Sequence, residues 1–137
     1  MIKSLSAILS LASLVLLPAC SLPTVHLPKL KHDASTFLDQ QKELLQADNF
    51  DIAASTSSFQ GKSVSYLTIQ IVNAKALPNP ADSSAAAVKR VARRVVAELS
   101  NPTDYQVVQV GVKQQQGVAI VSTTQQQTFS YSLVSLQ

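Results

Sequence analysis

Few residues in this chain could do chemistry, and they are scattered. His26 and His32 are the only imidazoles, Cys20 is the only thiol, and Asp39, Glu43, Asp48 and Asp51 are close in sequence. A Ser-His-Asp or Cys-His relay needs an imidazole within hydrogen-bond reach of a nucleophile and an orienting acid. Both histidines fall in a proline-interrupted stretch near the N-terminus, and their separation matches no common metal-ligand spacing. Asp39 and Glu43 stand one helical turn apart, which could serve acid-base work or a hard cation, but with Lys42 beside them an exposed helix face is the simpler reading. No set of residues assembles a catalytic site, and the few glycines exclude a Gly-rich phosphate loop.

The sharpest charge feature is Lys89, Arg90, Arg93 and Arg94, whose three- and four-residue spacings put cations on one helix face. Only Glu98 is placed to relieve Arg94. Such a face suits anionic lipid, lipopolysaccharide phosphate or an acidic partner; its alternative is the solvated side of an amphipathic helix. Gln114–Gln116 and Gln125–Gln127 can donate and accept hydrogen bonds. They are read as polar filling, or as an exposed edge able to take a partner strand or a glycan.

Cys20 ends an ordered series: the basic head Met1-Ile2-Lys3, the uncharged apolar run Leu5–Leu17, then Leu17-Pro18-Ala19-Cys20. Leu5 to Ala19 is shorter than the ~20 apolar residues of a membrane-spanning helix. The segment resembles the signal peptides of bacterial lipoproteins, in which a Leu-x-(Ala/Gly)-Cys lipobox directs acylation of the cysteine and cleavage before it. The resemblance implies that residues 1–19 are removed and that Cys20 carries a diacylglyceryl group and a further acyl chain such as palmitate. The membrane is then a partner through those chains. Ser21 after the cysteine resembles the Gram-negative pattern for outer-membrane delivery, facing the periplasm. A thioether at Cys20 would also account for a lone cysteine, since it leaves no thiol to oxidise.

Cleavage leaves ~118 residues, enough for one modest core. It also takes Lys3 away and brings the charge close to neutral, which gives no support to nucleic-acid binding. Residues 20–32 read as the lipidated cysteine and a tether broken by Pro23 and Pro28, with His26, Lys29, Lys31 and His32 solvated or touching headgroups. Residues 33–137 read as a single domain. Phe37, Leu38, Gln41, Leu44 and Leu45 give a helical stripe that Asp33 or Ser35 can cap.

Phe50–Phe59 and Lys62–Asn73 read as a hairpin turning at Gln60-Gly61, the first strand weakly patterned and placed at an edge or in partly irregular structure. Ala76–Pro80 breaks the sheet. Asp82-Ser83-Ser84 then opens a long helix to about Ser100 with Val88, Val91, Ala92, Val95, Val96 and Leu99 inward. Val108, Val110 and Val112 alternate in a third strand, Gln114–Gly117 turns, and Val118–Val121 begins a fourth strand that either runs on to Leu133 or breaks at Thr123–Gln127 before Phe129, Tyr131 and Leu133 resume the alternation.

These elements predict an α+β fold: an N-terminal helix, then β-β-α-β-β, with the long helix on one face of an antiparallel or mixed four- to five-stranded sheet. The expected function is a membrane-anchored, non-enzymatic binding or assembly module of the cell envelope, needing no cofactor or metal and meeting another envelope protein or anionic lipid. The competing classes are a small-ligand carrier or hydrolase with a pocket between sheet and helix, and an inhibitor of an envelope enzyme acting through Ala76–Ser84.

Overall fold

The computed structural model describes residues 24–77, 84–118 and 121–137. The lipobox with Cys20, the Pro78–Pro80 break and the expected Asp82-Ser83 cap lie outside the described residues. Five strands are formed: β1 (Thr24–His26), β2 (Asn49–Phe59), β3 (Lys62–Val72), β4 (Val107–Val118) and β5 (Val121–Ser132). They make one sheet in the order β1-β2-β3-β4-β5, antiparallel except between β3 and β4. Among the described residues two helices, α1 (Ala34–Leu45) and α2 (Ser84–Glu98), and short 3₁₀ turns at Pro102–Asp104 and Leu133–Leu136 accompany the sheet.

Alternation decides which face of the sheet is wet. The register sets Phe50 beside Ile71, Ile52 beside Ile69 and Val110, and Ala54 beside Leu67 and Val108, all buried. Val88, Val91, Ala92, Val95, Val96 and Leu99 of α2 and Phe37 and Leu45 of α1 close the same core. The opposite face carries Ala53, Thr68, Gln109 and Ser130 in one row and Asp51, Gln70, Gly111 and Thr128 in the next. Gly111 leaves room for the Gln70 carboxamide, which lies where a Cβ would be.

The expected α+β arrangement organised by a long helix is corrected by this structure. The described chain opens on a strand rather than a helix, one mixed sheet forms its body, strand residues far outnumber helical ones, and the helices are 12 and 15 residues long. Three local causes account for the shift. Thr24–His26 completes part of the open edge of β2, so β2 lies second in the sheet and not at its margin. The Gln114–Gly117 stretch stays extended, paired with Ser122–Gln125, and the hairpin turns beyond Val118. α2 gives way at Leu99, where the backbone bridges to Leu30.

Local chemistry sets the ends of α1. The Asp33 carboxylate accepts from the Thr36 N–H (3.0 Å), the Ser35 hydroxyl (2.6 Å) and the Thr36 hydroxyl (2.9 Å), so it satisfies donors that the first helical turn leaves free. Gln46 ends the helix in the left-handed region, its N–H bonded to the Glu43 carbonyl. At the same end of the sheet, Asn73 donates to Asp48 (2.7 Å) and accepts from the Gln115 N–H (2.7 Å), joining the α1–β2 loop to β4.

The Ser35 hydroxyl, then the Thr36 N–H and hydroxyl, hold the Asp33 carboxyl below its usual range. Its stabilisation is therefore present at neutral pH and lost as the pH falls through that lowered value. Asp33→Ala is expected to lower the melting temperature at neutral pH and hardly at all in strong acid, and a loss equal at both would contradict this. Ile69 is fully buried at the sheet centre. Ile69→Ala is expected to cost about 2–5 kcal/mol in urea unfolding.

Candidate functional site

Sequence reasoning placed residues 24–32 in a solvated tether, whereas the structure makes them a strap across the C-terminal end of α2. Leu30 bridges Leu99, the Lys31 N–H donates to the Glu98 carbonyl (2.8 Å), and the Ser100 N–H donates to the Lys29 carbonyl (3.0 Å). The reason is general: the last carbonyls of a helix have no partner within it, and an extended segment alongside can supply one. Pro28 is buried, with no N–H to satisfy.

Glu98 also has a different role from the expected one. Its Oε1 accepts from the His32 N–H (3.0 Å) and lies 2.6 Å from His32 Nδ1. The carboxylate expected to relieve Arg94 is thus committed to the strap. Arg94 is half-buried on the helix flank, its Nε shielded without a hydrogen-bond partner. Lys89 is half-buried as well, while Arg90 and Arg93 are exposed. Exposure thus divides the four cations into two pairs.

Instead the fold unites Arg93 with a cation from the strap. Lys31 and Arg93, both exposed, line an open depression of about 390 Å³ together with Val96, Leu99, Pro102 and Leu136. Cations beside apolar side chains match an anionic amphiphile or an acidic, partly apolar protein segment. Only the long-range bridge between Leu30 and Leu99 brings Lys31 there, so local sequence spacing held no sign of it.

A second, smaller notch of about 220 Å³ is lined by His26, Leu27, Lys29, Asn101, Asp104 and Tyr105. Burial, followed by the neighbouring Asp104 charge, raises the Tyr105 pKa and keeps the phenol protonated as a hydrogen-bond donor. Tyr131, next to Val108, is raised by burial alone. The notch gathers an imidazole, a carboxylate, an ammonium and a phenol, a combination the sequence did not reveal.

Asp39 and Glu43 are exposed on α1, and Asp51 accepts from the Asn49 side chain (2.7 Å). Among the described residues no group of three or more His, Cys, Asp or Glu could hold a metal ion. No helix among them is long and apolar enough to cross a membrane. The depression is thus the site with the clearest chemical preference.

Each cation near an anionic surface contributes about 1 kcal/mol, so removing two should weaken binding on the order of thirtyfold. Lys31→Gln with Arg93→Gln, in a chain also carrying Cys20→Ala, is expected to lose retention on phosphatidylglycerol vesicles by that order at low salt. High salt should erase the difference in a vesicle sedimentation assay. Unchanged low-salt retention would dispose of the cationic site. No family model matches the chain, no curated protein matches it in sequence, and no solved structure matches its fold.

Proposed function

We propose that this chain is a lipid-anchored protein of the bacterial cell envelope, acting as a binding or assembly module rather than as an enzyme. The observation that carries the reading is the order of basic head, uncharged apolar core and Leu17-Pro18-Ala19-Cys20. Acyl chains on Cys20 would each add about 0.8 kcal/mol per buried methylene, which makes release very slow once two or three chains are inserted. Ser21 suits delivery to the outer membrane of a Gram-negative host, with the domain facing the periplasm.

The Lys31–Arg93 depression supports a binding role, because it sets two cations beside apolar surface. The notch at His26 and Asp104 adds polar groups. Under this reading the partner is another envelope protein with an acidic, partly apolar contact, or anionic lipid. A second reading, a carrier of a small anionic amphiphile, is favoured by the same depression and differs in that the ligand is exchanged rather than held.

The anchor is tested on the protein made in a bacterial host. Mass spectrometry is expected to find an N-terminal Cys20 bearing a diacylglyceryl thioether, and Cys20→Ala should abolish incorporation of an alkyne-palmitate label. A free thiol at Cys20, or a label that survives the substitution, would overturn the reading.

A further inference from the structure

The β2–β3 hairpin ends in an arm that no other described strand borders. Among the described residues β1 pairs with β2 as far as Thr24 opposite Thr56, and β4 joins β3 from Val107 opposite Tyr66. Among the same residues, 57–64 pair only with each other. Gln60 (φ 50°) and Gly61 (φ 75°) close the arm in the left-handed conformations of a two-residue turn. Hydroxyl contacts between Ser58 and Ser63 (3.0 Å) and between Thr56 and Ser65 (3.2 Å) stiffen it.

At the tip Phe59 stands directly opposite Lys62, so the two side chains share one face of the ribbon. Phe59, the one aromatic residue among the exposed large hydrophobics of the described chain, is 75% exposed. From Ile52 to Val72 the only charged residue is Lys62. An uncovered ring beside a single cation, with no carboxylate near in sequence, has the composition of a segment that sits at a lipid headgroup boundary.

The direction of β1 supplies the second observation. Because β1 runs antiparallel to β2, moving from His26 back to Thr24 moves from Ala54 toward Thr56 and on toward the arm. Four residue steps separate Cys20 from Thr24, a reach of at most about 14 Å. Phe59 lies three residues beyond Thr56, roughly 10 Å along the strand. A chain held by acyl groups at Cys20 thus brings the arm to the bilayer within the length of its own connection. α2 also ends on this side, since the chain leaving it enters β4 at the level of Tyr66, and Lys29 and Lys31 lie across that end.

We infer that the β2–β3 arm is a membrane contact, with the Phe59 ring seated among headgroups of the bilayer that holds Cys20 and the Lys62 ammonium on lipid phosphates. This rests on the lipid anchor proposed above, and it adds an orientation: the Phe59 end of the sheet faces the membrane. The chain has no tryptophan, so a single introduced one reports its own surroundings. Phe59→Trp preserves an aromatic tip. Leu44→Trp, exposed near the opposite end of the sheet on α1, is the control.

Both proteins are purified from membranes and reconstituted in vesicles of equal parts phosphatidylcholine and phosphatidylglycerol, with and without brominated acyl chains. The indole of the Phe59→Trp protein is expected to emit at shorter wavelength than that of the Leu44→Trp protein and to be quenched several-fold more strongly. Adding Lys62→Glu to Phe59→Trp should reduce that quenching. Equal quenching at the two positions, or stronger quenching at position 44, would overturn the contact. If Cys20 proves unacylated by mass, its free thiol is coupled to a maleimide-headgroup lipid and the same comparison made. Failure of the anchor is thus read from the mass of the chain, and failure of the contact from the quenching.

Discussion

The parallel pairing of β3 with β4 is the constraint on which the rest of this structure depends. Antiparallel neighbours can be joined by two residues, but parallel neighbours require the chain to travel back along the sheet before it can pair again. Here Tyr66 meets Val107 at one end and Val72 meets Lys113 at the other, so residues 73–106 must make the return. α2 lies within that return, and its apolar stripe of Val88, Val91, Val95 and Leu99 is buried with the strands. Its direction follows: the C-terminal end comes to the level of Tyr66, on the side of the Gln60-Gly61 turn. A helix ending there leaves carbonyls to satisfy, and the strap from Lys29 to His32 meets that need.

What was legible in the sequence followed from repeated local pattern. Leu67, Ile69 and Ile71, and again Val108 and Val110, alternate with period two, while the stripe of α2 keeps helical spacing. β1 escaped because three residues carry too little pattern and their partner Ala54–Thr56 lies about thirty positions later; the flanking prolines also argued for a linker. The extended Gln114–Gly117 escaped for a related reason. Glycine and glutamine suggested a turn, yet pairing with Ser122–Gln125 decides the matter, and that pairing is a property of the hairpin as a whole. The fold class was misjudged through the sum of these errors, since each one undercounted strand.

The candidate site shows the same division between local and long-range information. Helical spacing made the cations of α2 visible, but which of them stay available depends on burial along the flanks and on where Glu98 turns. Glu98 is drawn to His32 by a strap that arrives from another part of the chain. Arg93 gains Lys31 as a neighbour across the depression by the same route. A carboxylate that balances a cation in one dimension need not do so in three. Here its removal to the strap leaves the exposed side of α2 with Arg90 and Arg93 and no acid paired to them among the described residues.

The long outer strand gives the proposed anchor a structural consequence. β5 has 12 residues with neither charge nor proline, and it borders the sheet. The Leu133 N–H bonds to the Gln106 carbonyl, and with the register this turns the backbone groups of Thr124, Gln126, Thr128, Ser130 and Ser132 toward the free edge. Edges of this kind invite pairing and are commonly guarded by lysine, proline or a bulge. Antiparallel pairing of two such edges needs a two-fold axis perpendicular to the strands. In the orientation inferred for the anchored chain, with the Phe59 arm on the bilayer, that axis lies in the plane of the membrane and would put the second copy's anchor at the far end of the sheet, away from the lipid. The anchorage proposed at one end would therefore oppose antiparallel self-pairing of β5, through geometry instead of charge. An extended segment of a different chain, with no anchor of its own at that end, meets no such obstacle.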